Sequence, residues 1–431
     1  MTVNRYKGSS MFSANADAEK WSLALSTIVF SFFIANIALG FQNVFGINQQ
    51  SVSFLAKIIV VLSIARCMPS FIRLDIRPIL AIIGFIIVLF CVQSTLFREQ
   101  NTWFMPLQID FITLCLPVVL CMAMMPDYDV ALKYLLYVSI GISVIVSLSI
   151  VFIGSRMFSG YAMGMANSLI IPTNMLSIAT ARERRRTVKA VYIILMIMNC
   201  LAVLVYGSRG ALLAIAAFSV YLGLVGFPIN RNILPNLLAI AIIALLALYM
   251  DKIIDVLSNL SLSLGFRSRT LLLLSEGGTL HDSGRLNIWG SVWADCLRNP
   301  FMIRGLCSDY VLTGGYCHNV LLTLCHNFGI VAGAILIVVL TVLILRTLLG
   351  EDTSRGIICV LLLSAFFPLL LWSDTIWSHP WFWGWLVLQL RKGVSRRNDD
   401  EAIGLNARHD VYRRYDKSTR HSLQARKDSH G

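Results

Sequence analysis

From Trp21 to Leu390 the chain is a succession of apolar stretches long enough to cross a bilayer, joined mostly by short polar turns, and this rhythm leaves few folds open. Inside hydrocarbon every backbone N–H and C=O needs an internal partner, so only helices and closed barrels span. Apolar runs near twenty residues are helical in length. About twelve such stretches fall roughly at 22–40, 50–68, 78–96, 104–124, 131–153, 165–181, 189–206, 210–227, 233–250, 328–349, 355–373 and 376–390. Composition agrees: 57% of residues are hydrophobic and 14% charged, with a mean hydropathy of +0.73, against about 25% charged in soluble domains. The reading is an all-α polytopic membrane protein of about 12 transmembrane helices, with one long extracytoplasmic loop that carries an amphipathic helix.

The net charge of +13 does not point to nucleic acid, because the basic residues crowd into a few short turns and the tail. That placement suits anionic lipid headgroups and sets topology. Arg66, Arg73 and Arg77 flank the second turn, RERRRTVK (182–189) fills the sixth, Arg231 lies in the eighth, Arg346 and Arg355 bracket the tenth, and eleven Lys or Arg against six acids follow Leu390. The alternate turns FQNVFGINQQ, FREQNTW and WSDTIWSHPW carry no basic excess. Both termini are therefore expected in the cytoplasm, and no cleavable signal peptide is expected. The organisation is a cytoplasmic N-terminus (1–21), nine spans (22–250), an extracytoplasmic loop (251–317), an outer-rim helix with three spans (318–390) and a basic, lipid-associated, disordered tail (391–431).

Loops of almost seventy residues between packed helices are functional or disordered. Within 251–317, SGRLNIWGSVWADCLRNP sets Trp289, Val292, Trp293, Cys296 and Leu297 at helical spacing, from a capping Ser283 to Pro300. Such a Trp-rich face suits the membrane surface or the mouth of a cavity. Cys307 and Cys317 flank SDYVLTGGY, whose two glycines would permit a bridge on the oxidising side.

The groups with chemistry lie on that same outer side. In YGSRGALL a Ser208 cap would direct the N-terminus of the eighth span outward, and Arg209 in its first turn, with Gly210 admitting a close ligand, would make a seat for phosphate oxygens. An interfacial arginine reaching for headgroups explains Arg209 alone equally well. Arg285 repeats the arrangement in the loop helix; Arg156, Arg267, Arg269 and Arg304 add positive charge, and together they imply an anionic ligand. In HNVLLTLCHNFGIVAG the apolar run is too long for one span, so a break near Asn327 and Gly329 is expected, placing His318 at the rim. Histidine is the side chain best suited to take a hydroxyl proton near neutral pH; His326, His379 and His281 are weaker candidates. Lys57 and Asp110, in the outer halves of two spans, are expected to form an ion pair. Pro172, Asn167 and Asn174 make the sixth span irregular. The Asp127-x-Asp129 spacing reads as turn and helix-cap chemistry, and no metal-ligand, Walker or dinucleotide motif is present.

SRGALL (208–213), GRLNIWGSVWADCLRNPFMIRG (284–305) and HNVLLTLCHNFGIVAG (318–333), in that order and separated by the long outer loop, resemble the O-antigen ligase and O-antigen polymerase superfamily. The resemblance includes Arg209 followed four residues later by Leu213, and the pair His318–Asn319 followed by Gly329. It implies a metal-independent, inverting glycosyl transfer with no cofactor on the outer membrane face. The donor would be a polyprenyl-diphosphate-linked glycan and the acceptor a glycan or a lipid-linked sugar. Arg209 with Ser208 and Gly210, Arg285, Arg304 and Arg156 would bind the diphosphate, and His318, aligned by Asn319, would take the acceptor proton. A polymerase joining repeats is the first expectation, a ligase passing finished glycan to a lipid core, protein or wall the second, and a flippase or transporter a third of another class. A chain-length regulator or other envelope-assembly protein is an expected partner beside membrane lipids.

Overall fold

The computed structural model describes residues 5–46, 48–69, 77–153, 163–206, 208–225, 255–256, 259, 263, 284–350, 353–372 and 374–391. Among them the chain is all helical. The elements are α1 (Arg5–Phe45), α2 (Gln49–Cys67), α3 (Arg77–Leu96), α4 (Asn101–Asp110), a π turn (Phe111–Cys115), α5 (Leu116–Met124), α6 (Tyr128–Ile153), α7 (Met163–Ser168) and α8 (Ile170–Arg182). There follow α9 (Arg186–Tyr206), α10 (Arg209–Val225), α11 (Arg285–Arg298), α12 (Ser308–Thr313), α13 (Val320–Phe328), α14 (Ile330–Leu348), α15 (Ser354–Trp372) and α16 (Pro380–Leu390). Seven helices among the described residues are long and apolar enough to cross a membrane. Two more apolar stretches, Ile83–Leu96 in α3 and Gly210–Gly223 in α10, are shorter. The expected span at 233–250, the tail, Arg156, Arg267, Arg269 and His281 lie outside the described residues.

Two kinds of helix face explain the packing. In α2 the buried residues are Ala56, Val60, Ile64 and Cys67, one stripe at helical spacing, while Phe54, Leu55, Ile58, Ile59, Val61 and Leu62 are exposed. In water so large an apolar patch would aggregate; against lipid tails it costs nothing. In α1 the inward stripe is Trp21, Leu25, Ile28 and Phe33, each almost fully buried.

The irregular stretches have local causes. Pro117 has no N–H to give the carbonyl of Thr113, and the helix answers by widening: Leu116 N–H bonds Phe111 O, a five-residue step. The sixth expected span is broken as its proline and asparagines suggest, into α7 and α8 around Leu169, with Asn174 Nδ2 donating to Ser364 Oγ at 2.9 Å. Asp127 is a cap, as its spacing implied: its Oδ1 accepts from Asp129 N at 2.8 Å and Val130 N at 3.3 Å. Asp129 accepts from Ser354, which ties the turn after α5 to the turn before α15. At the other end of the bundle lie the turns after α3, α9 and α15 and the whole of α11–α13.

Candidate functional site

Ser208 caps α10 as its sequence implied. Its Oγ accepts from Ala211 N at 3.3 Å and donates to Asn167 Oδ1 at 3.1 Å, the first contact contributing about 1 kcal/mol to the helix. Ser208 is almost fully buried and Gly210 is buried, and Arg209 is the first residue of α10.

The loop helix α11 begins at Arg285 and ends at Arg298. The N-cap position belongs to Gly284, in the left-handed region at φ 81°, with no side-chain cap; the expected cap Ser283 lies outside the described residues. Val292 and Cys296 are the fully buried part of the face, and Ile288 and Trp289 pack beside them against Cys317 and Cys325. Trp289 Nε1 donates to Cys317 O at 2.8 Å, and its ring lies 5.7 Å from that of Trp372 at the end of α15. One helical turn before Trp289 stands Arg285, so this hydrogen bond draws the first turn of α11 to the segment that carries His318.

His318 sits in the left-handed region at φ 58°, a conformation that histidine visits more than most residues but that needs support from its flanks. The support is visible on both sides. Trp289 holds the preceding carbonyl, and Asn319 Oδ1 caps α13 by accepting from Leu321 N at 3.0 Å and Leu322 N at 3.2 Å. Asn319 therefore positions His318 through the backbone, and its carboxamide oxygen is spent on the helix. The His318 ring lies 4.0 Å from Tyr316, Tyr316 lies 5.9 Å from Tyr310, and the Tyr310 hydroxyl faces the Thr375 side chain.

Arg304 is placed differently from the ligand cation expected. It is 8% exposed; its Nε meets Asp295 Oδ2 at 2.8 Å, and its terminal nitrogens donate to the carbonyls of Met302, Asp295 and Asn299. Four of its five N–H donors thereby hold the turn between α11 and α12. Asp295 Oδ2 also faces His326 Nε2 at 3.0 Å, His326 Nδ1 lies 2.8 Å from Ser308 Oγ, and Ser308 Oγ lies 2.9 Å from Asn327 Oδ1. Burial pushes the His326 pKa below its ordinary value, against the upward pull of Asp295. The Ser308 hydroxyl donates to Asn327 Oδ1, and the His326 ring bridges Ser308 Oγ and the Asp295 carboxylate. This chain runs from Ser308 through the ring to a carboxylate, but it is a buried staple.

Sequence reasoning passed over the residues that fasten this segment to the bundle. Gln93 Oε1 accepts from Leu306 N at 2.7 Å, Gln100 Oε1 accepts from Cys307 N at 3.0 Å, and Gln100 Nε2 donates to Arg304 O. Two amides seven residues apart at the close of an apolar run were the available signal. Gly305 passes between them at φ 89°, where a Cβ would come within 2.7 Å of Phe97 and 2.8 Å of Gln100. The expected break is at Gly329, and Gly333 lets α14 turn back on α13 so closely that a Cβ would stand 2.5 Å from Cys325 Cα. The Cys307–Cys317 bridge that the two glycines would permit is not formed: both thiols are free and buried. Burial pushes each up to about 12, so neither is a nucleophile.

Beneath the Thr375 turn lies a cleft whose largely apolar walls carry several polar groups. One cavity of about 230 Å³ is lined by Asn36, Asp110, Asn167, Asp374, His379 and Trp381 among others. A second of about 240 Å³ shares Phe32, Asn36, Asp110 and Leu114 with it and reaches Lys57. The expected ion pair is present, with Lys57 Nζ 3.4 Å from Asp110 Oδ1. Asp110 is the last residue before the π turn, a local irregularity that recurs at functional sites. Asn167, the partner of Ser208, joins the cleft to the first turn of α10. Thus Ser208, Gly210, Asn319, His318 and Arg285 all belong to the end of the bundle where the cleft lies, whereas Arg304 is committed inside the protein. No protein-family model matches the chain, and neither a curated protein nor a solved structure matches it.

Proposed function

We propose that this chain is a membrane glycosyltransferase that moves a polyprenyl-diphosphate-linked oligosaccharide onto an acceptor sugar hydroxyl at the outer face of a bacterial plasma membrane, as a polysaccharide polymerase. In this reading about twelve spans cross the bilayer and both termini are cytoplasmic. The basic turns face inward, and the end bearing α11–α13 and the cleft faces outward. The observation that carries it is the Trp289–Cys317 hydrogen bond of 2.8 Å, because it couples the first turn of α11, with Arg285, to His318 at the end where α10 also presents its capped N-terminus.

The chemistry follows from charge. The bond between the anomeric carbon and the diphosphate oxygen breaks, and its electron pair leaves with the polyprenyl diphosphate. The acceptor oxygen attacks the opposite face of that carbon and inverts it, while its proton passes to His318. Charge grows on the diphosphate, and Arg209, Arg285 and the helix N-termini are the groups suited to receive it. Arg304 contributes by fixing the turn after α11. The direct test is transfer by membranes containing Arg209→Ala or His318→Ala protein, expected to fall by about two to three orders of magnitude. A stable, inserted and fully active variant of either residue removes its role.

A ligase uses the same chemistry on a foreign acceptor. The transporter reading is favoured by one observation, the Lys57–Asp110 pair inside the cleft. The location of stranded intermediates separates the three. Single carrier-linked repeats outside follow loss of a polymerase, long carrier-linked chains outside follow loss of a ligase, and repeats in the inner leaflet follow loss of a flippase.

A further inference from the structure

We infer that the cleft under the Thr375 turn is a saccharide-binding site, in which Asp374 and His379 hold hydroxyls of one sugar ring and Trp381 meets its apolar face. This deepens the function proposed above and rests on it for the identity of the ligand as part of the glycan.

Unsatisfied polarity is the first ground. His379 is 4% exposed and its ring lines the cavity; its Nε2 lies 3.6 Å from Asp374 Oδ2, and its Nδ1 is buried with no hydrogen-bond partner. With Nδ1 closed off, the ring meets the cavity through Nε2, whose 3.6 Å separation from Asp374 Oδ2 is too long for a hydrogen bond and leaves room for a hydroxyl bonded to both groups. Asp374 Oδ1 accepts from Thr375 N at 2.8 Å, while a third of its side-chain surface remains open in a residue that lines the cavity.

The second ground is the mixture of groups. Lys57 and Asp110 balance each other across 3.4 Å, which leaves Asp374 and His379 with the remaining amide atoms of Asn36 and Asn167, whose Nδ2 and Oδ1, respectively, are spent on Phe32 O and Ser208. These planar acceptors and donors suit a ligand whose hydroxyls both give and receive hydrogen bonds. Trp381, 5.7 Å from Phe32, adds the flat apolar surface that a sugar ring offers C–H groups to. A free diphosphate would meet an excess carboxylate here, so the anionic part of the donor belongs elsewhere.

Size and position are the third. A cavity of about 230 Å³ is below the roughly 300–1,000 Å³ of sites for drug-sized molecules and takes one ring. Its roof is the turn on which Tyr310 rests through Thr375, and Tyr310 leads by ring contacts through Tyr316 to His318. Its floor adjoins the π turn, and the second cavity extends it between α1 and α2.

The test uses the full-length protein in lipid nanodiscs, incubated with diazirine derivatives of glucose, galactose and N-acetylglucosamine, irradiated, digested and mapped by mass spectrometry. Label is expected on the peptides holding residues 374–381 and 32–36. Excess unlabelled sugar should suppress it, and Asp374→Asn or His379→Phe should reduce it about tenfold, the loss of about 1.4 kcal/mol of binding. Competition on the unsubstituted protein tests the site even where a variant fails to fold. Label confined to α11–α13, or indifferent to competitor, overturns the inference. Protein that labels in the cleft but extends no glycan keeps this site and removes the function proposed above. Protein that extends glycan with wild-type KM in both variants keeps the function and removes this site.

Discussion

The indole N–H of Trp289 donates to the carbonyl of Cys317 at 2.8 Å, fastening the loop helix to the residue before His318. Trp289→Phe keeps an aromatic ring toward Trp372 but deletes the donor together with part of the indole. The expected cost is about 1–2 kcal/mol, localised to α11. Limited proteolysis should then cleave near 284–298 sooner than in the parent protein, with transfer activity reduced and membrane insertion unchanged. Equal cleavage rates would show that the indole hydrogen bond does not hold this helix.

Lys57 and Asp110 face each other in the cleft. Removing one leaves the other charged in a poorly solvated place, so Lys57→Gln or Asp110→Asn should each lower thermal stability. The double variant should lose less than the two losses combined. A coupling of about 1 kcal/mol is expected, since both groups retain access to the cavity. Strict additivity would mean that the pair contributes nothing.

Several elements were legible in the sequence because each has a local cause. Ser208 caps α10, the sixth span breaks at Leu169 between Asn167 and Pro172, the run after His318 breaks at Gly329, and Lys57 meets Asp110. Less legible was anything that depends on residues far apart in the chain meeting. Arg304 looks like its neighbours in composition, yet Asp295 and three carbonyls claim it. Gln93 and Gln100 look like ordinary span-end amides, yet they hold the turn at 304–307 more than 200 positions away. His379 and Asp374 gain significance only from the cavity around them.

Gly305 and Gly333 are places where backbone approach leaves no room. At Gly305 a side chain would meet Phe97, Gln100 and Gln93 and would also sit at φ 89°. Gly305→Ala should cost about 1–3 kcal/mol from the conformation alone and release α12 from the bundle. Gly333→Val should push α14 from α13 and lower the yield of inserted protein. Wild-type melting of either variant would contradict the packing described.

Asp309 is 1% exposed, and burial pushes its pKa up to about 6 from 3.8, against hydrogen bonds from Cys317 and Thr323. The folded state thus binds this proton more tightly than the unfolded chain. Stability from this group is full below about pH 4 and is lost as pH rises through 6, an effect of at most about 3 kcal/mol. Asp309→Asn removes that loss. It should raise the melting temperature at pH 7.5 and raise it less at pH 5. The same difference at both values would refute the assignment.

Arg209 and His318 are proposed to act together at the outer end of the bundle in extending a carrier-linked glycan. The decisive measurement is the length and leaflet of carrier-linked glycan in cells whose own copy is deleted and replaced by the parent protein, Arg209→Ala or His318→Ala, each verified as inserted. Long chains are predicted with the parent, and single repeats in the outer leaflet with both variants. Long chains with both variants, or repeats stranded in the inner leaflet, would contradict the joint role of these two residues.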